Sequence, residues 1–529
     1  MSLPFGRSDE DKASQTIQSR TIYPSDISVD LKGNAMTHTD QPRPVTTVHP
    51  ATAFEAIMQA LDRAQLSRRK LLVGTAAAAT AVVAGAANGA RASAAQDATE
   101  IVFTYWGSPQ EQDAVASMCD SFNEQNPTIQ VRAQYIPNDG YTEKITTMLA
   151  SNTLADVAYM DAAQAWDITV GGATLDLAPF VAADAESGTL VPNTNYVYDG
   201  GKVMSTSLAI GIILTYYNRK LFDDAGIPVP SSKAAEAMAW PAFVDLAKSL
   251  TKDRSGRNAL DPEFDAGSID VYGVTFQQFL EGYMPFILSN GGNFASADGM
   301  QLLLNQPEAV EALQNLQDLI YVHHAAPTPA QSSALPATDV LMQTGKIAMD
   351  LNGMWKVLDY SQHEGLDWGV APLPYFKEPV TVRFGIPIVV SAQTANPAAT
   401  YEFYRWRYSP DRIDLYRRGL WMPIAQDSYT DETKIAAWID AEEGVYPENA
   451  RDVFIDYALN NAPYQTPGYW LRNLNQILLE AVTPALDLIW TGEATAQAAM
   501  DQAVANSTPL MQGVYQPPAQ TATPVAAGG

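Results

Sequence analysis

Cysteine and histidine are scarce: one cysteine, Cys119, and five histidines among 529 residues. A lone thiol cannot close an intrachain disulfide, so no oxidative staple holds the fold. Cys119 shares i, i+3, i+4, i+7 spacing with Val115, Met118 and Phe122, which predicts a core thiol on a helical stripe. His323 and His324 are adjacent, so on a helix they point about 100° apart and cannot grip one metal as an i, i+4 pair can. The nucleophile elbow, the zinc-protease pair, the phosphate-cradling loop and the dinucleotide glycine fingerprint are all missing. Gly345-Lys346 lacks both the loop and the following Ser or Thr of a phosphate cradle. Asp261, Glu263, Asp265 and Asp270 lack the glycine at position six of a calcium loop, so they read as a solvated acidic loop. Nothing marks out a pair of glycosidase acids among the many carboxylates. The expectation is a chain with no catalytic residue, no cofactor and no metal.

Basic residues are also few. Beyond residue 94 the chain holds 22 Lys and Arg against 51 Asp and Glu, a formal charge of −29. A field of that sign argues against nucleic acid, whose phosphates need clustered Lys and Arg, and against polyanionic ligands. The basic residues that do cluster lie in the leader. Ser67-Arg68-Arg69-Lys70 precedes a weakly apolar run over 71–85, and the small residues of 90–94 follow. This has the form of a twin-arginine (Tat) export signal over 67–95, cleaved near 92–95. The run is too rich in alanine and glycine to insert well as a membrane span. Residues 1–66 read as a disordered extension and n-region, with Met58 as an alternative start. No cysteine stands near the cleavage point, so lipid anchoring is not expected.

What the mature chain has in abundance is strand-helix alternation. IVFTYW (101–106), IQVRAQY (129–135) and residues 156–160 read as strands, separated by helices through about Glu124 and around Tyr141, Ile145, Met148 and Leu149. Such a βαβαβ order with short connectors predicts α/β architecture with a mostly parallel sheet. Residues 213–217 (ILTYY) form a β-branched and aromatic strand. Asn218 follows as an N-cap, Leu221, Phe222 and Ala225 give a short apolar face, and Gly226, Pro228 and Pro230 stop the helix. Further on, residues 271–275 read as a strand and 307–321 as an amphipathic helix. Residues 479–503 read as closing helices kinked or divided at Pro484.

YYNRKLFDDAGIPVP (216–230), with Trp240, Phe243, Ala247 and Leu250, resembles the extracellular solute-binding proteins of ABC importers, in particular the maltose-binding-like group. TGKIAMDLNGMW (344–355), LDWGVAPLP (366–374), GIPIVVSA (385–392) and the glycine loop 289–292 carry the same likeness, which spans about 100–506. The resemblance implies a two-lobe periplasmic-binding-protein fold of type II, with lobes discontinuous in sequence and joined by a hinge. Lobe 1 would use 97–210 with 385–430, and lobe 2 would use 215–380 with 434–510. The crossovers would lie near 208–214, 379–385 and 427–433, with a disordered tail over 511–529. It departs from the pattern at Ala239, in place of the usual Thr cap, and at Gly211, where sugar binders of the group often carry an acid.

The implied function is capture of a carbohydrate between the lobes and delivery to ABC permease subunits, in the periplasm or on the outer face of the membrane. The protein would act as a monomer after export by the Tat translocon. Alternatives are a non-sugar solute such as a polyamine or a glycerol-phosphate-like molecule, or a secreted enzyme acting on polysaccharide. Sugars present hydroxyl edges and apolar C–H faces, so the site should combine aromatic rings with carboxylate and amide acceptors. Trp106 ends a strand, and Asp161 ends another with Gln164 and Trp166 just beyond, at the carboxyl ends where ligands bind. The resemblance adds Trp355 as a stacking residue, and Tyr469 and Trp470 at a late loop-to-helix junction. Tyr283, Phe384 and Trp421 complete the ligand-binding set, each with core packing as the competing role.

Overall fold

The strand that ends at Asn218 is far longer than the five-residue apolar run suggests. In the computed structural model, which describes residues 98–515 except 139, 192–193, 408–413 and 463–465, it covers Lys202–Asn218 and is buried over almost its whole length. In chain order the strands are β1 (Thr99–Tyr105), β2 (Ile129–Tyr135), β3 (Val157–Tyr159), β4 (Asn195–Tyr198) and β5 (Lys202–Asn218). They are followed by β6 (Lys252–Asp253), β7 (Ile269–Phe276), β8 (Ile347–Gly353), β9 (Trp368–Ala371) and β10 (Arg383–Val390). Among the described residues they form one ten-stranded sheet in the order β2-β1-β3-β10-β5-β8-β7-β6, with β4 and β9 also paired to β5.

The expectation of a mostly parallel sheet holds only at the flanks. β1 is parallel to β2 and β3, and β7 is parallel to β8. Around β5 every pairing is antiparallel, with β4, β8, β9 and β10. Helical crossovers fix parallel neighbours, but β5 and β10 run through the middle of the sheet and reverse its direction. The first part of β5 pairs with β4 and β10, and its last part, from Ile213 on, pairs with β8 and β9. One strand thus belongs to both halves of the sheet.

Local grammar explains the flanking helices. Asn218 caps Arg219–Ala225 by accepting from the Leu221 N–H, and Gly226 ends that helix at φ 66°. Ser108 and Glu111 form a capping box on Pro109–Gln125, whose buried stripe includes Val115, Met118, Cys119 and Phe122. Burial pushes the Cys119 thiol up, away from reactivity. Ala239 gives no side-chain cap to Trp240–Leu250; the Trp240 N–H instead donates to the Tyr375 carbonyl at 2.7 Å. Near Pro484 the chain does not break. Leu474–Ile477 runs through a π turn, Leu478–Val482, into Thr483–Trp490, so the wide turn absorbs the lost proline N–H.

Of the tail expected over 511–529, residues 516–529 lie outside the described residues and residues 514 and 515 are packed. Val514 bridges Leu471, and the Tyr515 ring stacks on Trp166 at 4.5 Å. The leader over 67–95 and the extension over 1–66 lie outside the described residues. Among the described residues no helix is long and apolar enough to cross a membrane, and no group of three His, Cys, Asp or Glu side chains is placed to hold a metal.

Candidate functional site

β1 and β3 end side by side, and both deliver a side chain to the same space. Trp106, just past β1, stands edge-on to Tyr141 and Tyr159, with centroids 4.9 and 5.2 Å away. Asp161, just past β3, caps Ala162–Val170 by accepting from the Gln164 N–H at 2.8 Å. Across from them β8 turns at Gly353 and presents Trp355. These residues border one cavity of about 1080 Å³, whose wall also includes Glu111, Glu281 and Tyr283.

The second wall is an aromatic nest built on the middle of β5. Gly211 lies directly opposite Phe384 in the β5–β10 ladder. Met422 bridges Ile210, which brings Trp421 to the same point. A Cβ on Gly211 would stand 2.6 Å from the Phe384 ring and 3.1 Å from that of Trp421. The absent side chain is therefore what admits both rings. Trp355 completes the nest at 5.9 Å from Phe384 and 5.5 Å from Trp421, with Phe279 at 6.0 Å on its outer side. Its indole folds back over Gly353, where a Cβ would come within 1.9 Å of the ring. Trp421 holds φ 68°, a left-handed backbone that a bulky residue adopts only when its surroundings impose it.

Carboxyl groups rim this apolar floor. Glu111 is half-buried; burial pushes it up to about 7, against the Ser108 N–H that bonds its Oε2 at 2.5 Å. Asp161 reaches into the cavity, yet protein encloses that space closely enough to raise its carboxyl, with the N–H groups of Gln164 and Ala163 opposing. Burial likewise raises Glu281, which accepts from the Tyr469 hydroxyl and feels Asp161 as a like charge. Lys356 also borders the cavity, but its Nζ is 2.8 Å from Asp359 in an ion pair.

Of the residues expected from sequence, Trp106, Asp161, Tyr283, Trp355, Phe384, Trp421 and Tyr469 border the cavity. Gln164, Trp166 and Trp470 do not, and their positions beside a strand end or a site aromatic misled. Gln164 and Trp166 are buried within their helix. Trp166 donates its indole N–H to the Tyr469 carbonyl and packs on Trp470 at 5.7 Å, so this pair supports the loop that carries Tyr469. Glu111, Phe279, Glu281 and Lys356 were missed. Glu111 was visible only as the third residue of a capping box, and Glu281 and Phe279 only as the start of a helix.

Fold and cavity together define a solute-binding architecture, a sheet shared between two halves with a large aromatic and carboxyl-lined space between its strand ends. The profile of bacterial extracellular solute-binding proteins matches residues 106–412, and the chain belongs to that family. The sn-glycerol-3-phosphate-binding periplasmic protein of Pectobacterium atrosepticum is 23% identical over 464 residues, 80% of this chain and 93% of that one. An arabinooligosaccharide-binding protein of Halalkalibacterium halodurans is 25% identical over 296 residues, 54% of this chain and 60% of its own length. Among solved structures, an ABC substrate-binding protein of Listeria monocytogenes in complex with cycloalternan superposes with a TM-score of 0.66 at 22% identity, covering 78% of this chain and 99% of that one. A maltose-bound binding protein of T. maritima gives 0.61 at 19% identity, covering 78% and 100%. The fold is thus the two-lobe α/β fold of these binding proteins.

Proposed function

We propose that the protein is the exported substrate-binding subunit of an ABC importer, which takes a carbohydrate into the cavity and presents it to membrane permease subunits. The observation that carries this reading is the convergence of Trp106 and Trp355 from opposite halves of the sheet on one cavity of about 1080 Å³. Aromatic faces suit the apolar C–H faces of sugar rings, and carboxylates accept their hydroxyl hydrogens. Phosphorylated solutes fit this wall poorly, because Lys356 is already paired with Asp359 and the other charged residues bordering it, Glu111, Asp161, Glu281 and Asp487, are acidic. The chain makes and breaks no bond of its solute. It works by closure of the lobes about β5 and β10, the lobes being 97–210 with 385–430 and 215–380 with 434–510. Ligand favours the closed arrangement because both walls touch it only there. The leader over 67–95 directs Tat export to the periplasm or the outer face of the cytoplasmic membrane, where the protein acts as a monomer.

A thermal-shift screen of mono- and oligosaccharides, polyols and polyamines tests the reading. A solute at a hundred times its Kd adds about 2.7 kcal/mol of stability if the unfolded chain does not bind it. The expectation is a rise in Tm with at least one saccharide. A screen in which only polyamines raise the melt would remove the carbohydrate assignment.

A further inference from the structure

We propose that the solute is a carbohydrate bearing a protonated amine, held with its cationic nitrogen between Asp161 and Glu281. This deepens the carbohydrate reading and rests on it. Asp161, just past β3, and Glu281, in the first turn of Leu280–Ser289, border the same cavity and act on one another as like charges. Both carboxylates are already held by protein donors: Asp161 Oδ1 accepts from the Gln164 N–H and Glu281 Oε1 from the Tyr469 hydroxyl. Lys356, the cation on the cavity wall, is committed to Asp359.

A second, independent feature points into the same corner. The Tyr283 side chain borders the cavity, is 1% exposed, and its hydroxyl finds no hydrogen-bond partner among the described residues. That hydroxyl is close enough to Glu281 to feel its charge. A buried hydroxyl without a partner costs stability that a ligand atom can restore. Neutral hydroxyls can donate to the pair, but they leave uncompensated the burial and mutual repulsion that favour the protonated form of both groups. An ammonium group converts that repulsion into two charge-assisted hydrogen bonds. Trp355 and Phe279 border the same cavity, and aromatic rings accept a cation as well as a sugar face.

The test is calorimetric titration of the mature protein at neutral pH with three matched disaccharides. They are the β-1,4 dimer of glucosamine, its N-acetylated form, and cellobiose; putrescine serves as a cation without a ring. The amine-bearing dimer should bind at least about tenfold more tightly than the acetylated and plain dimers, the measure of one charge-assisted pair. Asp161→Asn keeps a good helix cap, and it and Glu281→Gln should each shrink that preference to below about threefold. Equal binding of the three dimers, or a preference that survives both variants, overturns the inference and leaves a carbohydrate site standing. Binding of putrescine with no saccharide overturns the carbohydrate reading itself, and the inference with it.

Discussion

Trp106 and Trp355 face one cavity but are held in it by opposite means. Trp106 is positioned by what surrounds it: a parallel strand ends, and the rings of Tyr141 and Tyr159 clasp the indole edge-on. Trp355 is positioned by what is missing, since Gly353 and Gly211 leave the space that its ring and its neighbours Phe384 and Trp421 fill. A clasped ring tolerates small changes nearby because several contacts share the restraint. A ring seated in a glycine-made gap depends on atoms that must not be there. The Trp355 wall should therefore be the more easily broken of the two.

The largest effect is expected from Gly353→Ala. Its methyl would stand 1.9 Å from the Trp355 ring, so the indole must leave its seat. Overpacking of this kind costs about 1–3 kcal/mol, read as a fall in Tm, and saccharide affinity should fall at least about a hundredfold with the wall lost. Gly211→Ala should act in the same direction but less, because the 2.6 Å approach is to the edge of Phe384. A Gly353→Ala protein that melts and binds like the parent would remove the idea that glycine seats this wall. Next in size is the contrast between Trp355→Ala and Trp106→Ala in the same binding assay. Loss of an aromatic anchor costs about 2 kcal/mol, or about thirtyfold. Trp355→Ala should reach that value, whereas Trp106→Ala should lose about tenfold while lowering Tm, since Trp106 also packs on Tyr141 and Tyr159. Equal affinity losses with unchanged Tm in both would erase the distinction.

The same contrast explains what could be read before any coordinates. Asn218 as a cap, Gly226 as a stop and the stripe around Cys119 are local grammar, set by neighbours within a turn or two of chain, and they were legible. Trp106 was legible as the end of a β-branched strand, and it borders the cavity. The antiparallel core around β5 was not legible, because ILTYY gives no sign that the strand extends back to Lys202 and serves both halves. Nor was the reason for Gly211, which in sequence is only a missing acid. In space it is the gap that Phe384 and Trp421 require. Trp166 and Trp470 misled because a tryptophan beside a strand end or next to a site aromatic looks the same whether it faces the cavity or the core behind it.

The smallest effect concerns the charges behind the two walls. Glu111 on the Trp106 side is pushed from 4.5 up to about 7. Asp350, sealed beneath the Trp355 side, is pushed by burial from 3.8 up to about 6, although Tyr360 and Asn352 donate to its Oδ2 at 2.6 and 2.9 Å. In each case the folded protein keeps a proton that the unfolded chain has released, so stability is full at the acid end and declines as pH rises through the window. The windows differ: about 4.5 to 7 for Glu111 and about 3.8 to 6 for Asp350. Glu111→Gln preserves the capping box, since glutamine also accepts from the Ser108 N–H. It should flatten the decline of Tm between pH 5 and 7.5 by about 2 °C, after discounting the shift for the partial exposure of the group. Asp350→Asn should flatten the decline mainly below pH 6 and leave the slope above it as in the parent. Other raised carboxyls, Asp161 and Glu281 among them, contribute to both curves alike, so the difference between variant and parent isolates each wall. A Glu111→Gln curve parallel to the parent across the whole range would mean that Glu111 is ionised in the folded protein, and that the Trp106 wall carries one more negative charge than its burial allows.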